Sequence, residues 1–210
     1  MSGRVAVVVA VCCLLGGSPA AFAQRYASRP EYEGHRHEGL FMRFDGGAGY
    51  LKTSGMVNGS SASISGPAGS FGFSVGGNIV EDFSLFGYVG ISVVTNPDVT
   101  LGSATTGTGD SSLNFASMGA GASYYFMPNN VYVSGTLLMT RLTTTVNGSS
   151  GSTNAGFGAK VAIGKEWWVS EHWGMGIAAE FAFGSNIDQG SNPPTWTTIT
   201  PALAFSASFN

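Results

Sequence analysis

Ala202-Leu203-Ala204-Phe205-Ser206-Ala207-Ser208-Phe209 alternates apolar with small or polar residues at the end of a 210-residue chain. An extended backbone sends successive side chains to opposite faces, so this stretch reads as a β-strand with one greasy face and one small or polar face. Seven further segments alternate in the same way, at about residues 39–51, 69–80, 83–94, 113–126, 131–142, 155–168 and 173–184. The segment at 173–184 is the clearest. It sets Trp173, Met175, Ile177, Ala179, Phe181 and Phe183 against Gly174, Gly176, Ala178, Glu180, Ala182 and Gly184.

The links between these segments alternate too. Val80-Glu81-Asp82, Met127-Pro128-Asn129-Asn130 and Val169-Ser170-Glu171 read as tight turns. Residues 52–68, 95–112, 143–154 and 185–195 are longer links of Gly, Ser, Thr, Asn and Pro. Transmembrane barrels have short periplasmic turns and long extracellular loops. The expected fold is therefore all-β: an eight-stranded antiparallel up-and-down transmembrane β-barrel over 39–210, in the cell outer membrane of a Gram-negative organism. Strand one pairs with strand eight, and both barrel ends lie in the periplasm. A soluble barrel would turn its largest apolar residues toward a central cavity. Here one face of most strands is Gly, Ala and Ser, too small to be a soluble core.

Residues 1–23 read as a cleaved signal peptide. Arg4 supplies a weakly basic start, and residues 5–15 form an apolar run too short for a span of roughly 20 residues. Pro19 breaks the run, and Ala21-Phe22-Ala23 is a small-x-small cleavage site before Gln24. Cys12 and Cys13 lie inside this leader, so disulfides, thiolate metal sites and cysteine nucleophiles are not expected in the mature chain. Loss of Arg4 takes the formal charge from −3 to −4, which argues against a nucleic-acid partner. With charged residues at 10%, against about a quarter in soluble domains, composition favours a membrane protein. Residues 24–38 are polar and read as a disordered periplasmic N-terminal segment. His35 and His37 there are too few for a metal site.

Two groups of barrel residues stand out. Phe83, Tyr124, Phe126, Trp167, Trp173 and Phe209 fall on the outer face near the short-turn end, an aromatic girdle at the headgroup level. Arg43, Asp45, Lys160 and Glu180 fall on inner faces and sum to zero. A loop at 169–171 would set Trp168 opposite His172, Trp167 opposite Trp173 and Lys160 opposite Glu180, pairing the last two as a buried network needs.

Gly39-Leu40-Phe41-Met42-Arg43, Tyr124-Tyr125-Phe126-Met127-Pro128-Asn129-Asn130-Val131-Tyr132 and Gly164-Lys165-Glu166-Trp167-Trp168-Val169-Ser170 are similar to segments of mostly uncharacterised outer-membrane barrel proteins. Over residues 38–210 the chain resembles the small OmpA/OmpX-type barrels. The resemblance implies fold and location, but no activity. Barrels of this kind usually end on an aromatic residue read by the insertion machinery. Here Asn210 follows Phe209, with the alternation before it intact, so that signal is expected to work. No periplasmic domain of the OmpA kind follows strand eight, so a cell-wall-binding role is not expected.

Catalysis by a hydrolase or acyltransferase needs a nucleophile within reach of a base. His35 and His37 precede the barrel and His172 closes a turn, so no Ser-His-Asp set assembles at one end. No enzyme, cofactor or metal is expected. Phe86, Tyr88, Tyr132, Arg43 and Lys160 narrow the lumen, so a structural or surface-interaction role leads, with a gated or porin-like channel as the alternative. A lipid-modifying enzyme comes third. The expected partners are outer-membrane lipid, the insertion machinery and, left open, an extracellular partner of the long loops. Protease added to intact cells is expected to cut in the long loops or not at all. Cleavage at Glu81, Lys165 or Glu171 from outside would refute this topology.

Overall fold

The computed structural model describes residues 37–191 and 193–210. The leader, the cleavage residues Ala21, Ala23 and Gln24, and His35 lie outside them. Alternation of β-branched, aromatic and small residues produces eleven strands among the described residues. Eight are long: β1 (Leu40–Val57), β2 (Ser60–Val80), β3 (Phe83–Thr95), β6 (Ser111–Phe126), β7 (Val131–Val146), β9 (Gly156–Trp168), β10 (Trp173–Ile187) and β11 (Thr195–Phe209). Three are short: β4 (Asp98–Leu101), β5 (Ala104–Gly107) and β8 (Ser149–Ser152). All pairings are antiparallel, and the long strands follow one another around a ring that closes where β1 pairs with β11.

The ring is that of the expected barrel, but its long links are mostly strand. Asn58-Gly59 and Asn147-Gly148 have both residues at positive φ, the turn in which an Asn-Gly pair joins two strands directly. Residues 52–68 therefore continue β1 and β2 as a ladder up to Val57 opposite Ser60. β8 folds back on the end of β7 in the same way. β4 and β5 form a further hairpin that pairs with the far end of β2. A strand tilted by 45° crosses the bilayer in about 9–11 residues. β1 and β2, at 18 and 21 residues, carry the sheet well beyond it at the long-loop end.

The outer face is apolar. Leu137 and Phe157 are 77% exposed, Leu203 74% and Phe71 69%, values that only a lipid solvent tolerates in such number. The inner face holds two layers. Phe41, Phe86, Tyr88, Tyr125, Tyr132 and Leu138 pack in the short-turn half. Leu51, Val94, Leu113, Phe115 and Leu142 pack toward the long-loop end, with Ile64 and Trp196 against them. Trp196 belongs to β11 and packs against the upper layer.

Lumen-facing glycines admit this packing. A Cβ on Gly119 would strike the backbone carbonyl of Leu137, whereas one on outward Gly135 meets nothing within 4 Å. Gly119→Val is expected to lower stability by about 1–3 kcal/mol. Gly135→Val should leave the denaturant midpoint of refolded protein nearly unchanged, and equal losses would count against the assigned faces.

Candidate functional site

Parity along β1, β9 and β10 aims Arg43, Asp45, Lys160 and Glu180 into the lumen, where the sequence placed them. A first correction follows from the hairpin of β9 and β10. Its loop is Ser170-Glu171-His172, closed by the Val169 N–H donating to the Trp173 carbonyl at 2.9 Å. The Trp173 N–H in turn donates to Ser170 Oγ at 3.2 Å. Moving the loop by one residue shifts every pair by two. Trp167 lies opposite Met175 rather than Trp173, Trp168 opposite Gly174 rather than His172, and Lys160 opposite Ala182 rather than Glu180. An even shift keeps the faces, so Lys160 reaches Glu180 diagonally, Nζ to Oε1 at 2.9 Å. Lys160 Nζ also donates to the Tyr88 hydroxyl at 3.3 Å.

The second correction concerns charge. Glu166, which the sequence reading left unplaced, is fully buried and pairs with Arg43, Nε to Oε1 at 3.4 Å. Ser208 donates to Glu166 Oε2 at 2.7 Å, Ser206 to Oε1 at 3.3 Å and the Tyr125 hydroxyl to Oε2 at 3.4 Å. Arg43 also donates to the Tyr125 hydroxyl and lies over the Tyr132 ring at 3.8 Å. Plain alternation would have found both Glu166 and Tyr125: Glu166 is two residues beyond Gly164, and Tyr125 two beyond Ser123. Among the described residues the lumen therefore holds three carboxyl groups and two basic side chains, rather than two of each.

His37 is also placed differently. Expected in a disordered lead, it is fully buried at the short-turn mouth, its ring stacked 3.5 Å from that of Tyr125. Its Nε2 lies 2.8 Å from Asn130 Oδ1. His172 sits in the turn, its ring 5.8 Å from that of Phe209. The six aromatic residues read as a girdle all fall at the short-turn ends of their strands. Phe83 faces Tyr124, and the Trp173 and Phe209 rings meet edge-on at 5.4 Å.

Between the two packed layers a cavity bordered by Asp45, Tyr88, Lys160, Glu180 and Thr200 leaves about 20 Å³ for the centre of a water molecule, room for one or so. The long-loop end opens into a bowl of about 540 Å³ by the same measure. Leu113, Leu142, Ile64 and Trp196 line it together with Thr144, Ser150 and Thr153. Asp188 on its wall accepts from Trp196 Nε1 at 3.2 Å.

No family model matches the chain, and no curated protein matches it. By structure it is similar to Neisserial surface protein A, at a TM-score of 0.57 and 17% identity over 81% of this chain and 96% of that one. It is also similar to outer membrane protein AlkL, at 0.50 and 13% over 87% and 94%. OprG from Pseudomonas aeruginosa gives 0.48 and 14% over 86% and 100%. Identities this low speak for the fold. That fold, with its apolar outer band and polar-lined interior, is the small eight-stranded outer-membrane β-barrel. The chain is an integral protein of the outer membrane.

Breaking a buried ion pair from one side costs about 3–5 kcal/mol. Glu180→Ala is expected to lower the unfolding midpoint accordingly, and the double change with Lys160→Met to recover part of the loss. Glu166→Ala should cost more, because three hydroxyls and Arg43 converge on it. Unchanged midpoints in all three would deny the network.

Proposed function

We propose that the protein acts as a closed barrel with a structural or surface-contact role, without catalysis. The observation that carries this reading is the filled lumen. Two layers of aromatic and aliphatic side chains leave an interior gap of water size, while the bowl at the long-loop end is large enough for a small ligand or a partner's side chains. A solute crossing the barrel would have to displace Leu51, Val94, Leu113, Phe115 and Leu142 together. The apolar outer face contacts outer-membrane lipid, β11 presents the signal for insertion, and the bowl faces outward to any extracellular partner. His37 is engaged with Tyr125 and Asn130, and His172 lies in a turn, which favours the non-enzymatic reading.

Refolded mature protein in planar bilayers is expected to show no steady porin-sized conductance. Lipid A from cells with and without the protein should carry the same acyl chains. Steady conductance would replace this reading with the channel, and protein-dependent change in lipid A with the enzyme.

A further inference from the structure

Ile187-Asp188-Gln189 leaves the end of β10, and Pro193-Pro194-Thr195-Trp196 leads into β11. Two adjacent prolines fix their own φ and stiffen the approach to the strand. The Asp188 N–H donates to the Pro194 carbonyl at 2.9 Å, and the Asn154 amide donates to the Asp188 carbonyl at 3.1 Å. The Asp188 carboxylate is held from two sides. Its Oδ1 accepts from the Gln189 N–H at 2.8 Å, and its Oδ2 from Trp196 Nε1 at 3.2 Å. A carboxylate has about four acceptor positions, so each oxygen keeps one to offer. The Trp196 indole is fixed as well. A Cβ on Gly55 of β1 would lie 3.2 Å from its Cε3, so one side of the six-membered ring rests on that glycine. The rest of the ring borders the bowl, and so does Asp188.

We propose that this corner of the bowl binds a neutral saccharide, its pyranose ring stacked on Trp196 and its hydroxyls donating to Asp188. The inference rests on the surface-contact reading and names the ligand class of that surface. A pyranose presents an apolar C–H face flanked by hydroxyls, which matches an indole with a carboxylate in contact with it. Thr144 of β7 and Ser149 of β8 add hydroxyls to the wall, over the aliphatic floor of Leu113 and Leu142. A purely apolar ligand would strip water from Asp188 and return no hydrogen bond. A sulfated or phosphorylated ligand would face Asp188 with no Lys, Arg or His among the described residues of the lining. A cationic ligand would find a carboxylate already stabilised by two N–H groups.

The test uses refolded mature protein in a zwitterionic detergent, so that no glycoside detergent competes. The Trp196 Nε1–H resonance, assigned by its loss in Trp196→Phe, is followed by NMR during titration with glucose, galactose, mannose and N-acetylglucosamine. Oligosaccharide released from the cell's own lipopolysaccharide is titrated in parallel. A saturable shift is expected, with a dissociation constant on the order of 1 mM. Asp188→Asn can still accept from the indole and should weaken binding about tenfold. Saturation transfer from protein to sugar should persist, weakened, in Trp196→Phe and vanish in Trp196→Ala. Folding of each variant is checked by heat-modifiable mobility, and should Trp196→Ala not fold, Asp188→Asn carries the comparison. Binding of the released oligosaccharide would name the neighbouring lipid as the source, and binding of the simple sugars alone an external glycan. No shift from any of these sugars, transfer surviving in Trp196→Ala, or unchanged affinity in Asp188→Asn would overturn the proposal. A response to a heparin fragment alone would overturn its neutrality. A barrel that neither conducts nor binds sugar overturns this inference alone, whereas steady conductance overturns the surface role.

Discussion

A sheet in hydrocarbon has no water to satisfy an open edge, so β1 must pair on both sides. It does: with β2 from Leu40 opposite Gly77 to Val57 opposite Ser60, and with β11 from Met42 opposite Phe209 to Ser54 opposite Thr197. Closing at eight strands fixes an interior only as wide as the side chains that fill it. That width explains the glycine content better than flexibility does. The few large inward residues lie across glycines of other strands: Tyr88 over Gly72, Tyr132 over Gly164 and Glu166 over Gly176 on the adjacent strand, and Phe115 over Gly184 across the lumen. Each glycine is a seat, and the small face that ruled out a soluble core is the complement of a sparse set of bulky side chains.

The same narrowness governs the charges. A carboxylate or guanidinium with no water around it must find its partner within the barrel wall. Glu166 does so most fully, drawing together Arg43 from β1, Tyr125 from β6 and two serines from β11. It ties strands on opposite sides of the ring, something the backbone ladder alone cannot do. The Lys160–Glu180 pair links only the adjacent β9 and β10, although Tyr88 extends its reach to β3.

How much of this was legible in the sequence depends on the period of the signal. A two-residue alternation gives strand faces directly, so ring, strand order, inward charges and outward aromatics could all be read. Register is a different quantity. It is set at the turn by one hydrogen bond, Val169 to Trp173, and a loop placed one residue early moves every partner by two while leaving faces untouched. Lys160 and Glu180 were thus rightly joined for a wrong reason. The long links were misread because Ser, Thr and Gly composition resembles loop, whereas Asn58-Gly59 and Asn147-Gly148 were hairpin signals in plain view. The burial of His37 had no local signal at all, since it depends on Tyr125 and Asn130, each about ninety residues away in the chain.

The order of layers along the axis bears on function. From the short-turn end come His37 with Tyr125, the Arg43–Glu166 network, the Lys160–Glu180 pair with Asp45, then the aliphatic layer of Leu51, Val94, Leu113 and Leu142, and finally the bowl. Polar groups capable of rearranging therefore lie on one side of an apolar seal and the bowl at the long-loop end on the other. An apolar layer packed from β1, β3, β6 and β7 has no alternative hydrogen bonds to adopt, so it resists a change of state more than the charge pairs do. A partner engaging the bowl would meet a rigid floor of Leu113, Leu142 and Trp196 and could leave the charged lumen undisturbed. On the proposed function, the barrel holds a surface in place and no solute passes through it.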